Sequence, residues 1–257
     1  MNKYDKTNVE TMELLYGRGY LSMGGDAEVA RIVSPINVRG SRLLDVGCGM
    51  GGAAITLVRD LGAEKVIGVD IDAGLLERAG ELVDAAGLDD RIELIQVEPG
   101  PLAFADASFD IVYLTAVSCH LEDLAPFLRE IHRVVRPGGY IVGGEWFIQQ
   151  DNEAYRRWDD MLRERGLNFY FVTREQFIAP LVAAGFDHAE FNDQSERTAG
   201  LAAGYLERSQ GELRDTFSER MGQEGYAAHL EWTRIRAEGL AHNGSGYGHF
   251  VARRPLD

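Results

Sequence analysis

The chain has 257 residues, an ordinary apolar fraction of 45%, and 41 acidic against 26 basic side chains for a formal charge of -15. A field of that sign repels phosphate backbones and anionic membranes, which excludes nucleic acid and membrane surfaces as expected partners. The first residues, MNKYDKTNVETMELLYG, hold no apolar signal core, and no later apolar run approaches the length of a membrane span, so a cytoplasmic protein is expected.

From about residue 42 onward, strand-like runs alternate with helical ones, the pattern of parallel strands joined by helical crossovers. RLLDV (42–46) reads as the first strand, AAITLVRDLG (53–62) as the helix after it, KVIGVD (65–70) as the second strand and AGLLERAGELVDAAG (73–87) as the next helix. RIELIQV (91–97) gives a third strand. FDIVYLTAV (109–117) gives a fourth, nearly all apolar as suits a strand covered on both faces. LAPFLREIHRVV (124–135) is amphipathic and should stop in a turn at RPGG, where Pro137 cannot continue a helix, before YIVGGEWF (140–147) as the fifth strand.

Beyond it come a charged helical segment near 151–166, a helix TREQFIAPLVAAG (173–185) and a sixth strand DHAEFND (187–193). The stretch 199–242 looks mostly helical and precedes a last strand, GYGHFVARR (246–254), so a helical insertion interrupts two strands that would otherwise pair as a hairpin. The expectation is an α/β fold, a seven-stranded doubly wound (Rossmann-like) sheet. Its core would comprise residues 40–198 and 243–257. An N-terminal helical lid segment (1–39) and a helical lid insertion (199–242) would sit over the carboxyl ends of the strands, where open α/β sheets bind ligands.

Between the first strand and its helix lies VGCGMGG, four glycines in six positions. Gly47, Gly49 and Gly52 satisfy G-x-G-x-x-G, the dinucleotide fingerprint, with Asp70 as the ribose acid. Gly47, Gly49 and Gly51 equally satisfy G-x-G-x-G, with Asp45 two places before the first glycine. Both readings need a backbone that turns tightly and lets a ligand approach without a Cβ in the way. Asp45, Asp70 and Glu98 each fall at or just after a strand end. Three carboxylates on one edge suit hydroxyls, an exocyclic amine and positive charge better than a pyrophosphate. Cys48 and Cys119 are too few for a disulfide framework, and the six histidines show no H-x-x-x-H or H-E-x-x-H arrangement, so no metal site is expected.

In LLDVGCGMGG, GVDID, VEPGPLAFADASFDIVYLTAVSCHLED and REIHRVVRPGGYIV, roughly residues 40–147, the sequence resembles the class I S-adenosylmethionine-dependent methyltransferases. The resemblance implies S-adenosylmethionine as cofactor, a small-molecule substrate, and a monomer or homodimer. Gly47 and Gly49 would pass the methionine part of the cofactor, Asp70 would take both ribose hydroxyls in charge-assisted bonds, and Glu98 would accept from the adenine amine. Pro99 departs from the apolar residue usual after that acid. Ile71 and Thr115 complete the set. Asp45 has two readings, a cofactor contact or a carboxylate that holds the loop through its backbone amides.

The preceding segment YGRGYLSMGGDAEVARIV (16–33) is similar to that of the phosphoethanolamine-type small-molecule N-methyltransferases. By that likeness Tyr20, Leu21 and Ser22 contact the cofactor and Tyr4 caps the methyl donor. His120 falls at a position that carries a histidine in this family and in related small-molecule O-methyltransferases. Methyl transfer from a sulfonium is an in-line displacement that depends on positioning and on removal of a proton from the nucleophile, which a histidine titrating near neutrality can accept. Glu145 matches an acidic position of the O-methyltransferase relatives, where it would orient His120 or hold substrate. Ala116 stands where the phosphoethanolamine enzymes carry aspartate and Trp146 where they carry tyrosine; their phosphate-binding residues are only partly matched by Arg163, Arg165 and Tyr170. Trp146, Phe147, Trp158, Phe169, Tyr170 and Phe171 would pack a lid or hold an amine or methylated ammonium by cation–π attraction.

The resulting expectation is methylation of a small polar metabolite at an amine nitrogen, with His120, Tyr4 and Glu145 as catalytic residues and Trp146, Arg163 and Tyr170 at the substrate. The alternative is O-methylation of a sugar-like or other hydroxylated natural product. An NAD-dependent dehydrogenase and a cofactor-binding protein without activity are the readings from other classes.

Overall fold

The first five strands are laid out in a computed structural model, which describes residues 6–256, as β1 (Arg42–Val46), β2 (Lys65–Asp70), β3 (Ile92–Gln96), β4 (Phe109–Thr115) and β5 (Val135–Ile148). β6 (Asp187–Asp193) and β7 (Ser245–Arg253) complete a seven-stranded sheet of order β3-β2-β1-β4-β5-β7-β6, in which β7 alone runs antiparallel to its neighbours. The two chain segments flanking the helical insertion thus pair as strands.

Alternation of side chains along the strands builds two apolar layers. Leu43, Val66, Ile111, Tyr113 and Val142 face α2 (Gly25–Ile32), α3 (Gly52–Arg59) and α4 (Ala73–Ala86). Leu44, Ile67, Val112, Leu114, Ile141 and Phe250 face α5 (Leu124–Val134) and α7 (Arg174–Ala183). The helices begin where their sequences supply caps. Asp72 accepts from the amides of Gly74 and Leu75 at 2.9 and 3.0 Å, Asp123 accepts from Ala125 at 2.9 Å, and Thr173 with Gln176 forms a capping box. α4 ends at Gly87, in the left-handed region at φ 65°.

Three local expectations are corrected. RPGG is no free turn: β5 starts at Val135, directly after α5, with a register shift against β4 between Phe109 and Ile111. The amide of Gly138, at φ 76°, bonds to the carbonyl of Arg254 at 2.8 Å, so these residues are held to the chain's last segment. The helix expected from 199 begins at Ser195, so that α8 (Ser195–Gln210) leaves β6 almost at once. The N-terminal segment is not one unit, because α1 (Lys6–Tyr16) packs with the insertion whereas Val29 and Ile32 of α2 belong to the sheet's own layer.

α8 and α9 (Arg214–Ala241) form a helical pair, and α9 carries a kink at Gly222 (φ 71°, ψ 173°). Leu15 and Tyr16 of α1, Ala202 and Tyr205 of α8, and Phe217, Tyr226 and Leu240 of α9 make one apolar cluster, with Trp146 from the end of β5 packed against it. α6 (Glu153–Glu164) packs on α9 through Trp158, Met161, Leu162 and Ile235. Among the described residues no helix is long and apolar enough to cross a membrane.

The centre of β5 tolerates no side chain at Gly143, where a Cβ would collide with the Leu114 carbonyl and come within 2.8 Å of the Phe250 ring. Gly143→Ala should cost about 1–3 kcal/mol in urea denaturation. Gly80→Ala, in an open interior position of α4, should instead gain about 0.5–1 kcal/mol.

Candidate functional site

The order of the sheet reverses at β1, whose neighbours β2 and β4 are reached in opposite directions, and the glycine loop emerges at that switch point. Gly47, Gly49 and Gly51 all lie at positive φ (68°, 53° and 76°), a path that other residues take only with strain. Space is equally restrictive. A Cβ on Gly47 would stand 2.5 Å from a Val117 methyl, and one on Gly49 would stand 3.0 Å from Leu21.

None of the hydrogen-bonded loop amides goes to Asp45. Those of Gly47 and Cys48 donate to the Val69 carbonyl at 2.8 and 3.0 Å, that of Gly51 to Cys48, that of Gly52 to the Gly19 carbonyl, and that of Gly49 to the Asp70 carboxylate at 2.8 Å. Asp70 also accepts from the amide of Asp72 at 3.0 Å, so it ties the end of β2 to the loop. The reading in which Asp45 holds the loop through its amides is therefore replaced by Asp70 in that role. Asp45 is 2% exposed, and its Oδ2 has no hydrogen-bond partner among the described residues. A buried carboxylate oxygen without a donor is what a cationic ligand group requires. Burial, reinforced by the charge of Asp70, pushes the Asp45 carboxyl up to about 8.

Along the same edge Ile71 is 61% exposed, an apolar shelf directly after Asp70, and Glu98 is exposed two residues past β3. Thr115, at the end of β4, is half-buried and bonded to the Tyr113 hydroxyl. These groups fit S-adenosylmethionine, whose ammonium, ribose diol and adenine would meet an unpartnered carboxylate, a second carboxylate and an apolar surface. Leu21 lies against Gly49 and Ser22 is half-buried beside it. The Tyr20 hydroxyl is engaged elsewhere. It bonds to the Gly52 carbonyl at 3.0 Å and to Thr56 Oγ1 at 2.6 Å, and burial pushes it up to about 12.

Next to the loop, a single 3₁₀ turn (Ser118–His120) follows β4. Glu145 on β5, 1% exposed, grips it. Its Oε2 accepts from the Ser118 amide at 2.9 Å and from the Ser118 hydroxyl, its Oε1 accepts from the Trp146 amide at 3.0 Å, and the Cys119 thiol also bonds to it. Burial raises this carboxyl and those bonds oppose the rise. Glu145 thus holds the two residues before His120. Ser118 had no signal in the sequence, since only the fold brings it to β5.

His120 is exposed, with its ring 4.6 Å from that of Phe169. Phe169, Phe171 and Trp158 continue as a stack, at 5.4 and 4.6 Å, to Trp146 at 5.3 Å from Trp158. The amide of Tyr170 donates to the Cys119 carbonyl at 2.7 Å, so this segment is sewn to the His120 turn, while the Tyr170 side chain is 43% exposed. Arg163 and Arg165 are not brought there. Arg163 pairs with Asp159 at 2.8 Å on an exposed part of α6, and Arg165 donates to the Ala228 carbonyl with its guanidinium over Trp232. Tyr4 lies outside the described residues. Among the described residues no group of three or more His, Cys, Asp or Glu is placed to hold a metal ion.

A glycine loop at the switch point of a doubly wound sheet, backed by acids at the ends of successive strands, defines a protein that binds a nucleoside-type cofactor. A family model described as a methyltransferase domain matches residues 44–143. The chain is 30% identical over 218 residues to the 27-O-demethylrifamycin SV methyltransferase of Amycolatopsis mediterranei, covering 84% of this chain and 78% of that one. It is 22% identical over 253 residues to phosphoethanolamine N-methyltransferase 1 of Zea mays, covering 98% of this chain and 49% of the relative, so it spans about half the length of that protein. The phosphoethanolamine N-methyltransferase 2 of Haemonchus contortus, solved with phosphomonomethylethanolamine and S-adenosylhomocysteine, superposes with a TM-score of 0.89 at 23% identity, over 99% of this chain and 59% of that one. The chain belongs to the class I S-adenosylmethionine-dependent methyltransferases, and S-adenosylmethionine is its cofactor.

Unfolded aspartate ionises near 3.8. Between that value and about 8 the unfolded chain has released a proton that folded Asp45 keeps, so the ligand-free protein should lose stability as pH rises through this range. Denaturation at several pH values should show that decline, and Asp45→Asn should remove the part of it due to this site. A decline of the same size in the variant would refute the assignment.

Proposed function

We propose that the protein methylates a small polar acceptor, at an amine nitrogen, with His120 as the base or positioning group. The observation that carries this reading is the junction of two devices. Val117, which packs on Gly47 of the cofactor loop, is followed directly by the turn that Glu145 clamps and that presents His120. Donor and acceptor positions are thereby fixed by adjacent backbone, and in-line transfer gains most from such positioning.

When bound, S-adenosylmethionine supplies a methyl group on a sulfonium. In this reading Asp70 receives the ribose hydroxyls, Asp45 the ammonium, Ile71 and Glu98 the adenine, and Gly47 and Gly49 the methionine part. Leu21, Ser22 and Thr115 line the approach. His120 takes the proton from the acceptor, and Glu145 acts through Ser118 and Cys119 by fixing the turn. The stack of Phe169, Phe171, Trp158 and Trp146 offers π faces to an amine and to its methylated, cationic product. The helical layer of α1, α8 and α9 serves as a lid over the strand ends and excludes water. The likeness to phosphoethanolamine N-methyltransferases supports nitrogen as acceptor; phosphoethanolamine itself is not favoured, because Arg163 and Arg165 are engaged elsewhere.

The 30% likeness to an O-methyltransferase supports the second reading, a hydroxyl acceptor with His120 as an indispensable base. His120→Ala separates the two. For an amine, which needs only to be presented neutral, the variant should keep substantial turnover that recovers at higher pH. For an alcohol, loss of the base should cost about 10²–10⁴-fold at every pH.

Calorimetric titration with S-adenosylmethionine, S-adenosylhomocysteine and NAD tests the cofactor site. The two sulfur ligands should bind and NAD should not, and Asp70→Ala should weaken binding by at least about 100-fold, since hydrogen bonds to a charged group are lost. Preference for NAD would return the glycine loop to the dinucleotide reading.

A further inference from the structure

Between α1 and α2 the chain makes a loop, residues 17–24, whose two ends meet. A Cβ on Gly25 would stand 2.8 Å from the Tyr16 carbonyl oxygen, and Gly24 and Gly25 both lie at positive φ (95° and 56°). This is the build of an Ω-loop, a compact excursion shaped by closure of its base rather than by a ladder of its own. Within it the Gly19 amide donates to Glu13 Oε1 at 2.9 Å and the Tyr20 amide to the Gly17 carbonyl at 3.1 Å.

The loop rests on the glycine loop of the cofactor site. The Gly19 carbonyl accepts from the Gly52 amide at 3.1 Å, the Tyr20 hydroxyl donates to the Gly52 carbonyl at 3.0 Å, and Leu21 stands 3.0 Å from where a Cβ on Gly49 would be. Lifting residues 17–24 would strip two hydrogen bonds and an apolar contact from the glycine loop, so whatever closes their base also steadies that loop.

The base is closed from the helical insertion. Tyr205 of α8, 8% exposed, reaches both ends: its hydroxyl accepts from the Gly24 amide at 3.0 Å, and its ring meets the Tyr16 ring edge-on at 5.0 Å. The Tyr16 hydroxyl in turn accepts from Arg236 Nη1 at 2.6 Å, which fixes that ring. On the same helix Arg208 donates to the Leu14 and Leu15 carbonyls at 3.2 and 3.1 Å, and Arg197 pairs with Glu28 of α2. At about 100° per residue Arg197, Tyr205 and Arg208 fall on one face of α8, so one helix face grips the end of α1, the base of the loop and α2.

We propose that Tyr205 is a positioning residue for cofactor exchange: by holding the Gly24 amide and the Tyr16 ring together it closes the base of the loop that covers S-adenosylmethionine, so that the helical insertion sets the rate at which the cofactor enters and leaves. This rests on the reading above in which Leu21 and Ser22 line the cofactor approach. The hydroxyl carries the argument. The apolar cluster that surrounds Tyr205, Met23 of the loop included, contributes burial without direction, whereas a hydrogen bond to one amide fixes where Gly24 lies.

The test follows release of radiolabelled S-adenosylhomocysteine from the full chain, chased with excess unlabelled ligand, with the melting temperature of each variant measured beside it. Tyr205→Phe keeps the ring against Tyr16 and removes the acceptor, and it should speed release about 10-fold because the Gly24 amide is left unmatched. Leu21→Ala should also speed release, since it strips the loop's contact with Gly49. Ile235→Ala loosens the same insertion where α9 meets α6; it should lower the melting temperature at least as far as Tyr205→Phe does and leave release unchanged. Equal acceleration in Ile235→Ala and Tyr205→Phe would mark a general loosening of the insertion and overturn the proposal. Unchanged release in Tyr205→Phe with faster release in Leu21→Ala would overturn it and leave the loop's place at the cofactor standing. Unchanged release in both, or no binding by the parent protein, would overturn the proposal and that reading together.

Discussion

The bond from the Gly49 amide to the Asp70 carboxylate, 2.8 Å long, is the constraint on which the site depends. It joins the end of β2 to the glycine loop, and the other oxygen of the same carboxylate accepts from the Asp72 amide. The remaining loop amides go to main-chain carbonyls of Val69, Cys48 and Gly19. That distribution leaves Asp45 with an unmatched buried oxygen. An isolated loop of glycines would spend its conformational freedom on many shapes. Here carbonyls and one carboxylate select a single shape.

A second carboxylate does for the acceptor side what Asp70 does for the cofactor side. Glu145 satisfies its oxygens on its neighbour Trp146 and on Ser118 and Cys119, and these last two are near it only because β4 and β5 are paired in parallel with Thr115 opposite Gly144. Its place in the interior is stable because it is saturated with donors, and the turn it saturates carries the exposed histidine. Buried polar networks of this kind rigidify when every member is matched.

The fold was largely legible in the sequence because the strands of a doubly wound sheet are short apolar runs bounded by glycines and helix caps. Arg42–Val46 and Lys65–Asp70 follow from short apolar runs with turn residues beside them, and Asp187–Asp193 from alternation. RPGG was misleading because proline and glycine there mark an irregular start to β5, held by the chain's last residues, a partner too distant in sequence to foresee. Of the site, the acids and glycines of the cofactor loop were legible as a motif, but Tyr20 was not: its hydroxyl turns to Thr56 on α3, which only packing decides. Arg236 was invisible for a related reason. An arginine among RIRAEGL reads as solvated, and only the packing of α9 against Tyr16 of α1 buries it.

The insertion is attached to the sheet by polar as well as apolar contacts. Glu28 of α2, buried, accepts from His249 of β7 at 2.6 Å and pairs with Arg197 of α8, while the Tyr205 hydroxyl of α8 accepts from the Gly24 amide at 3.0 Å. Separating any of these partners in a dry interior is costly, so the first turns of α8 are anchored to the core. The far part of the layer, α9 beyond its kink, is held by apolar clusters and by polar contacts as well: Arg236 donates to the Tyr16 hydroxyl of α1 at 2.6 Å, Arg157 of α6 pairs with Glu238 at 2.8 Å, and Arg165 donates to the Ala228 carbonyl at 2.9 Å. Both parts of the insertion are therefore fixed by directional contacts in addition to non-directional apolar burial, and its placement is specified by both.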